Sequence, residues 1–129
     1  MSWNFPPNLK YTKNDEWIDP ETGKVGITDY AQDQLSDVVY VEYLVEEGDE
    51  VNQGDVVATV ESVKAAADVY APVGGKVVAL NTELADNPEW VNEDPYGQAW
   101  MVQLEIRDPS ELEGLMDAES YAKYCEERE

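Results

Sequence analysis

The chain has 129 residues, 29 of them acidic and 8 basic, giving a formal charge of −21, with one cysteine and no histidine. That length suits one domain with a core, that charge sets aside DNA and RNA partners, whose phosphates are bound by Lys and Arg, and the missing histidine removes the commonest general base and metal ligand. No apolar run approaches the roughly 20 residues needed to cross a bilayer, and Met1-Ser2-Trp3-Asn4-Phe5-Pro6-Pro7 lacks a basic region followed by an apolar core; the expectation is a cytoplasmic protein without a membrane partner, or a mitochondrial-matrix one if a presequence has been removed.

In chain order, Leu9-Lys10-Tyr11 to Trp17-Ile18 precedes Asp19-Pro20-Glu21-Thr22-Gly23-Lys24, a turn by its Asp, Pro and Gly, and then Val25-Gly26-Ile27: a hairpin. Residues 28–35 read as a short helix with Thr28 as N-cap and Asp29 in its first turn. Residues 38–45, rich in Val and Tyr, read as a buried strand. Further strands are expected at 56–61 and 76–80, each after a glycine-bearing turn, and Gly48-Asp49-Glu50-Val51 echoes Gly54-Asp55-Val56-Val57. A short helix over 81–87 stops before Pro88, residues 92–97 form a loop, and 99–105 carry a late strand, alternating from Met101 to Glu105. Asp108-Pro109-Ser110-Glu111 places a cap, a proline at the first helical position and a glutamate at the third; the helical region it opens continues to Glu126, broken near Asp117. No linker divides the chain, so 1–129 is expected to be one domain, with its core over about 9–107 and a helical region over 108–129. Cys125 has no second thiol with which to pair.

One lysine stands apart. Residues 25–75 hold eleven carboxylates and no cation except Lys64, which lies between the strand-like runs Val56-Val57-Ala58-Thr59-Val60-Glu61 and Asp68-Val69-Tyr70-Ala71. A side chain at the tip of a hairpin projects away from the packed sheet and is open to a modifying enzyme, although an arbitrary loop lysine needs no such explanation. Trp17 and Trp100 read as core aromatics, and Gly74 and Gly75 as residues that permit a chain reversal.

The segments Glu61-Ser62-Val63-Lys64-Ala65, Asp68-Val69-Tyr70-Ala71-Pro72 and Gly75-Lys76-Val77-Val78 resemble the lipoyl-attachment motif of glycine cleavage system H proteins. Lys10-Tyr11-Thr12, Glu16-Trp17, residues 25–32 and 37–42, Asn87-Pro88-Glu89, Val91-Asn92, Asp94-Pro95-Tyr96-Gly97 and Trp100 match family segments in order, so the similarity runs from about Leu9 to Cys125. The resemblance implies a mainly β fold with short helices (α+β): a flattened barrel or sandwich of the lipoyl/biotinyl-carrier type, with Lys64 at a hairpin apex and a C-terminal helix. It implies lipoate in amide linkage to Lys64, with Glu61 recognised by the lipoate-attaching enzyme. The arm would visit glycine decarboxylase, which loads an aminomethyl group, then aminomethyltransferase, then dihydrolipoyl dehydrogenase, while Glu16 and Asp68 shelter the loaded arm. Such a chain is a carrier without catalysis of its own.

Three departures from the family pattern bear on the cleft mouth and the docking face: Asp15 stands where a histidine is usual, Ser36 where a glycine is usual, and Leu44-Val45 where a proline is usual. Other readings have their own discriminators. A relay donating lipoyl groups to other complexes would not support glycine–bicarbonate exchange. An unmodified structural or docking module would show no added mass. A biotin carrier would flank its lysine with methionines, where this chain has Val63 and Ala65. An enzyme would need paired acids, and Glu16 with Asp68 reads as a binding pair.

Overall fold

Short strands separated by turn residues assemble into two antiparallel sheets in the computed structural model of the protein, which describes residues 3–128. The larger sheet contains β1 (Lys10–Tyr11), β2 (Glu16–Ile18), β3 (Lys24–Ile27), β5 (Glu50–Val51), β8 (Gly75–Leu80) and β9 (Val102–Ile106), in the order β1-β2-β3-β9-β8-β5. The smaller is β4 (Val38–Tyr43), β6 (Val56–Ser62) and β7 (Ala66–Tyr70), in the order β4-β6-β7. Of the two architectures expected, barrel or sandwich, the sandwich is observed: the sheets do not close on one another.

Alternation along the strands turns Ile18, Val25, Val77, Val102 and Leu104 of the larger sheet toward Val41, Ala58, Val60 and Val69 of the smaller, and Val57 is buried beside them at a register shift in β6. Each such Val, Ile or Leu side chain, fully buried, contributes about 1.5–3 kcal/mol before chain entropy is charged. Leu84 of α2 (Thr82–Asp86) and Val91 of α3 (Trp90–Glu93) extend this core. A second cluster, Leu9, Tyr11, Trp17, Tyr30, Tyr121 and Cys125, lies where α4 (Ala118–Glu127) joins α1 (Asp29–Leu35) and the first strands. Trp17 is thus a core aromatic, whereas Trp100 is half-buried beneath the Lys24 ammonium.

Local signals account for most element ends. Thr28 caps α1 by accepting the Ala31 N–H, Asp108 opens a 3-10 helix over Pro109–Gly114, and Asp117 caps α4 by accepting from Ser120. The Gly48/Gly54 echo becomes two copies of one turn. In each a glycine at positive φ (95° and 91°) precedes an aspartate whose carboxylate accepts a backbone N–H three residues back, Asp49 from Glu46 and Asp55 from Asn52, both at 2.8 Å. Gly74 and Gly75 serve another purpose than the expected reversal. Neither has positive φ; a Cβ on Gly75 would lie 2.3 Å from the Glu105 carbonyl oxygen, so close packing of β8 on β9 is what requires glycine. The strand expected over 38–45 ends at Tyr43, and the one expected over 99–105 begins at Val102. The short β1, β5 and α3 carry no periodicity long enough to announce them.

Candidate functional site

Lys64 lies in the turn between β6 and β7, exposed together with both neighbours. No glycine or positive φ makes this turn. Ser62 does so instead: its backbone N–H donates to the Ala65 carbonyl at 2.8 Å, and its Oγ accepts from the Lys64 and Ala65 N–H groups at 3.3 and 3.0 Å. The Val63 N–H donates to the Asp37 carbonyl at 3.1 Å, fastening the tip to the start of β4. Val63 is 69% exposed, so the lysine stands on an apolar as well as an accessible apex.

Glu61 and Asp68 are exposed and lie on the outer face of the smaller sheet, Glu61 opposite Tyr40 and Ala66, Asp68 opposite Thr59. Tyr40 and Glu42 share that face and are exposed with them. β7 is an edge strand. Beside it opens a cavity of about 160 Å³ whose walls are Asn14 and Asp15 of the β1–β2 turn, Ile27, α1 residues Ala31, Gln34 and Leu35, and Val60, Ala67, Asp68 and Val69 of the hairpin.

Glu16 is placed differently. It is 1% exposed, with Oε1 accepting from the Thr12 hydroxyl at 2.5 Å and Oε2 from the Tyr70 N–H at 3.0 Å. Burial drives its carboxyl up to about 7, against the two hydrogen bonds that favour the anion and with a further push from neighbouring Asp15. It lines a second cavity of about 270 Å³ at the far end of β7, with Thr12, Tyr70, Pro72 and Met116 among its walls. The structure therefore brings Glu16 to the same strand as Asp68 but not into the same cavity; Asn14 is the residue the two cavities share.

Reach favours the cavity at Asp68. A strand advances about 3.3 Å per residue, so Asp68 lies within about 13 Å of Lys64, and Tyr70, two residues further along β7, within about 20 Å. A lysine carrying an eight-carbon acyl chain extends about 14 Å from its Cα, at ~1.2 Å per bond of extended chain. The cavity at Asp68 lies within that arm's range. Reading the sequence missed Ser62 as the maker of the turn, the walls given by α1, and Tyr121 and Arg128, whereas Asp15, singled out as a departure at the cleft mouth, does line the cavity. Ser62 carries a turn signal of its own, but the others meet only through contacts between distant parts of the chain.

Comparison with known proteins bears on nearly the whole chain. The family model described as "Glycine cleavage H-protein" matches residues 9–128. The chain is 54% identical over 128 residues to the glycine cleavage system H protein of Halothermothrix orenii, covering 98% of this chain and 99% of that protein. It is 53% identical over 120 residues to the one from Staphylococcus saprophyticus, covering 92% and 94%. A crystal structure of a glycine cleavage system H protein from Mycobacterium marinum superposes with a TM-score of 0.81 at 33% identity, covering 93% of this chain and 98% of that one.

Proposed function

Because the chain belongs to the glycine cleavage H-protein family, whose members are non-catalytic lipoyl carriers, we propose that Lys64 is the residue that holds the lipoyl group. The protein serves the glycine cleavage system as its carrier and catalyses nothing itself. The observation that carries the lysine assignment is the hairpin tip, where Ser62 fixes a glycine-free turn and leaves Lys64 exposed. A rigid, projecting amine is what an attaching enzyme needs, and the exposed carboxylate of Glu61, on the strand leading into the turn, gives that enzyme a charge to read.

Lipoate supplies a disulfide that accepts the aminomethyl group and electrons; the chain supplies position and shelter. Ala31, Leu35, Val60 and Val69 give the cavity beside β7 apolar walls, and Asp68, on the outer face of that edge strand, borders it. An ammonium there is held by a charge-assisted hydrogen bond. Glu16, at Tyr70, holds the far end of the same strand and adds a buried acid behind Asn14. Glycine decarboxylase, aminomethyltransferase and dihydrolipoyl dehydrogenase are the partners among which the arm travels, and a lipoate-attaching enzyme loads it.

Intact mass and a peptide map of native or ligase-treated protein test the reading. One lipoyl group on Lys64 is expected, and none after Lys64→Arg. Native protein bare at Lys64, or modified at another lysine, would reject it. Glycine–bicarbonate exchange with a cognate decarboxylase should appear only with the modified chain.

A further inference from the structure

Arg128, which caps the C-terminus of α4, reaches back to the β1–β2 turn. Its Nη2 donates to Asp15 Oδ1 at 2.5 Å and its Nη1 to Oδ2 at 3.3 Å. The two side chains are only 28% and 20% exposed. The guanidinium lies over the rings of Tyr30 on α1 and Tyr124 on α4, 4.3 and 4.2 Å from their centroids. Asp15 itself has φ of 70°, a conformation an aspartate tolerates but does not prefer, so its position depends on what holds it.

A second set of bonds joins the same turn to α1. The Asp15 carboxylate only accepts, so the Tyr121 proton goes to its Oδ1 at 2.7 Å, and the Thr28 hydroxyl, which also accepts the Ala31 N–H, donates to the Tyr121 oxygen, also at 2.7 Å. Burial holds the Tyr121 hydroxyl far above its ordinary titration range, so it stays a donor. Asp15, Asn14, Ala31, Gln34 and Leu35 all line the cavity beside β7. Two of that cavity's walls, the β1–β2 turn and α1, are thus tied to one another through α4.

We propose that Arg128 is a positioning residue for this cleft: through Asp15 it fixes the β1–β2 turn against α1, and it neutralises Asp15, leaving Asp68 as the carboxylate available to a cationic cargo. The proposal rests on the arm-shelter reading above. Without the guanidinium, the wall loosens and a second, uncompensated carboxylate faces the cleft. The loss being guarded against consumes one water. The C–N and S–C bonds of the bound aminomethyl group break, and formaldehyde, ammonia and free thiol are produced with no change of oxidation state.

The experiment uses the full chain, lipoylated and loaded, and follows formaldehyde release from the isolated carrier; the unmodified chain is followed by amide hydrogen exchange. Arg128→Met keeps an apolar stem between the two rings and removes the charge. Formaldehyde release should accelerate about fivefold in Arg128→Met and in Asp15→Asn, the scale of one partly exposed ion pair, with no further gain in the double variant. Arg128→Lys should fall between wild type and Arg128→Met, since an ammonium keeps the charge but not the fork. In the unmodified chain, amides of residues 14–16 and 31–35 should exchange faster in Arg128→Met while those of β8 and β9 do not. The proposal is overturned by unchanged release, by additive effects in the double variant, or by equal acceleration in Leu84→Ala, a core variant outside the cleft lining. If Asp68→Asn also leaves release unchanged, the shelter reading falls and this proposal with it; if Asp68→Asn accelerates release and Arg128→Met does not, only the role of Arg128 is lost.

Discussion

Glu16 is an acid held where a neutral side chain would be easier to bury. Both its oxygens have partners, yet burial outweighs them and its carboxyl is driven up to about 7. The sign of the stability effect follows. The unfolded chain releases this proton near the ordinary carboxyl value of 4.5 while the folded chain keeps it until about 7, so Glu16's favourable contribution is complete below the lower value and is lost as pH rises through the upper one. The loss amounts to roughly 3 kcal/mol, at 1.36 kcal/mol per unit. Gln at this position does not titrate, so the stability of wild type relative to Glu16→Gln, measured by urea unfolding, should fall by about that much between pH 4.5 and 7.5; a difference independent of pH would show that the group is not perturbed. Gln is not a silent replacement. Thr12 Oγ1 already accepts from the Asn14 and Glu16 N–H groups and so must donate, as must Tyr70; one of these two donors would meet the amide NH2, which cannot accept, whereas both oxygens of a protonated carboxyl can. The variant should therefore begin from a lower stability at pH 4.5. None of this was legible in Glu16-Trp17 as a sequence, where a lone acid reads as surface; one of the partners that hold it, the Tyr70 N–H, is 54 residues away. Lys64 was legible because its exposure follows from a turn made by its immediate neighbours.

The joint between α1 and β4 shows how an element's end can carry strain. Ser36 closes α1 with φ of 68° and ψ of −149°, a backbone region almost reserved for glycine. Asn92 holds the distortion in place: its Nδ2 donates to the Ser36 carbonyl at 2.8 Å, and its Oδ1 accepts the Val38 N–H at 2.9 Å. The glycine usual in the resembling family at this position therefore has a conformational reason, and its absence here is a cost. Such a conformation costs about 1–3 kcal/mol for a side-chain-bearing residue, while glycine loses about 0.5–1 kcal/mol in added chain freedom. Ser36→Gly should stabilise the protein by about 1 kcal/mol, read as a rise in urea midpoint with unchanged slope; a fall would mean the Ser36 backbone is not strained. Among elements, the capped helices and the strand runs at 56–61 and 76–80 were legible because caps and β-branched runs act locally. β5 and α3 were not: Glu50–Val51 is a strand only because it meets Gly75 and Lys76 of β8, and Trp90–Glu93 is too short for a period to show. The cleft walls belong to the same class, since α1, the β1–β2 turn and β7 meet only in the folded sheet pair.

At the scale of the whole molecule, charge dominates. Against a formal charge of −21, the side-chain ion pairs among the described residues are Arg107 with Glu50 and Arg128 with Asp15. The other carboxylates mostly repel one another, and Glu42, Glu61 and Asp68 are exposed on the hairpin sheet itself. Two consequences have opposite salt dependence. Self-repulsion opposes the compact state, so screening should raise the melting temperature of the isolated carrier. The same field draws the hairpin toward a partner with a basic docking face, and screening should slow that approach. Between about 20 and 500 mM NaCl the screening length shrinks from roughly 20 Å to under 5 Å, and steering of this kind accounts for about 10- to 1,000-fold in association rate. Stopped-flow association of the lipoylated chain with glycine decarboxylase or aminomethyltransferase should slow at least tenfold across that range, with dissociation little changed, while the melting temperature rises. Slower association without a rise in melting temperature would show that the acidic surface steers docking without opposing the fold. If association rate did not respond to salt, the acidic face would have no part in docking, and the exposed apolar tip at Val63 would be left to guide it.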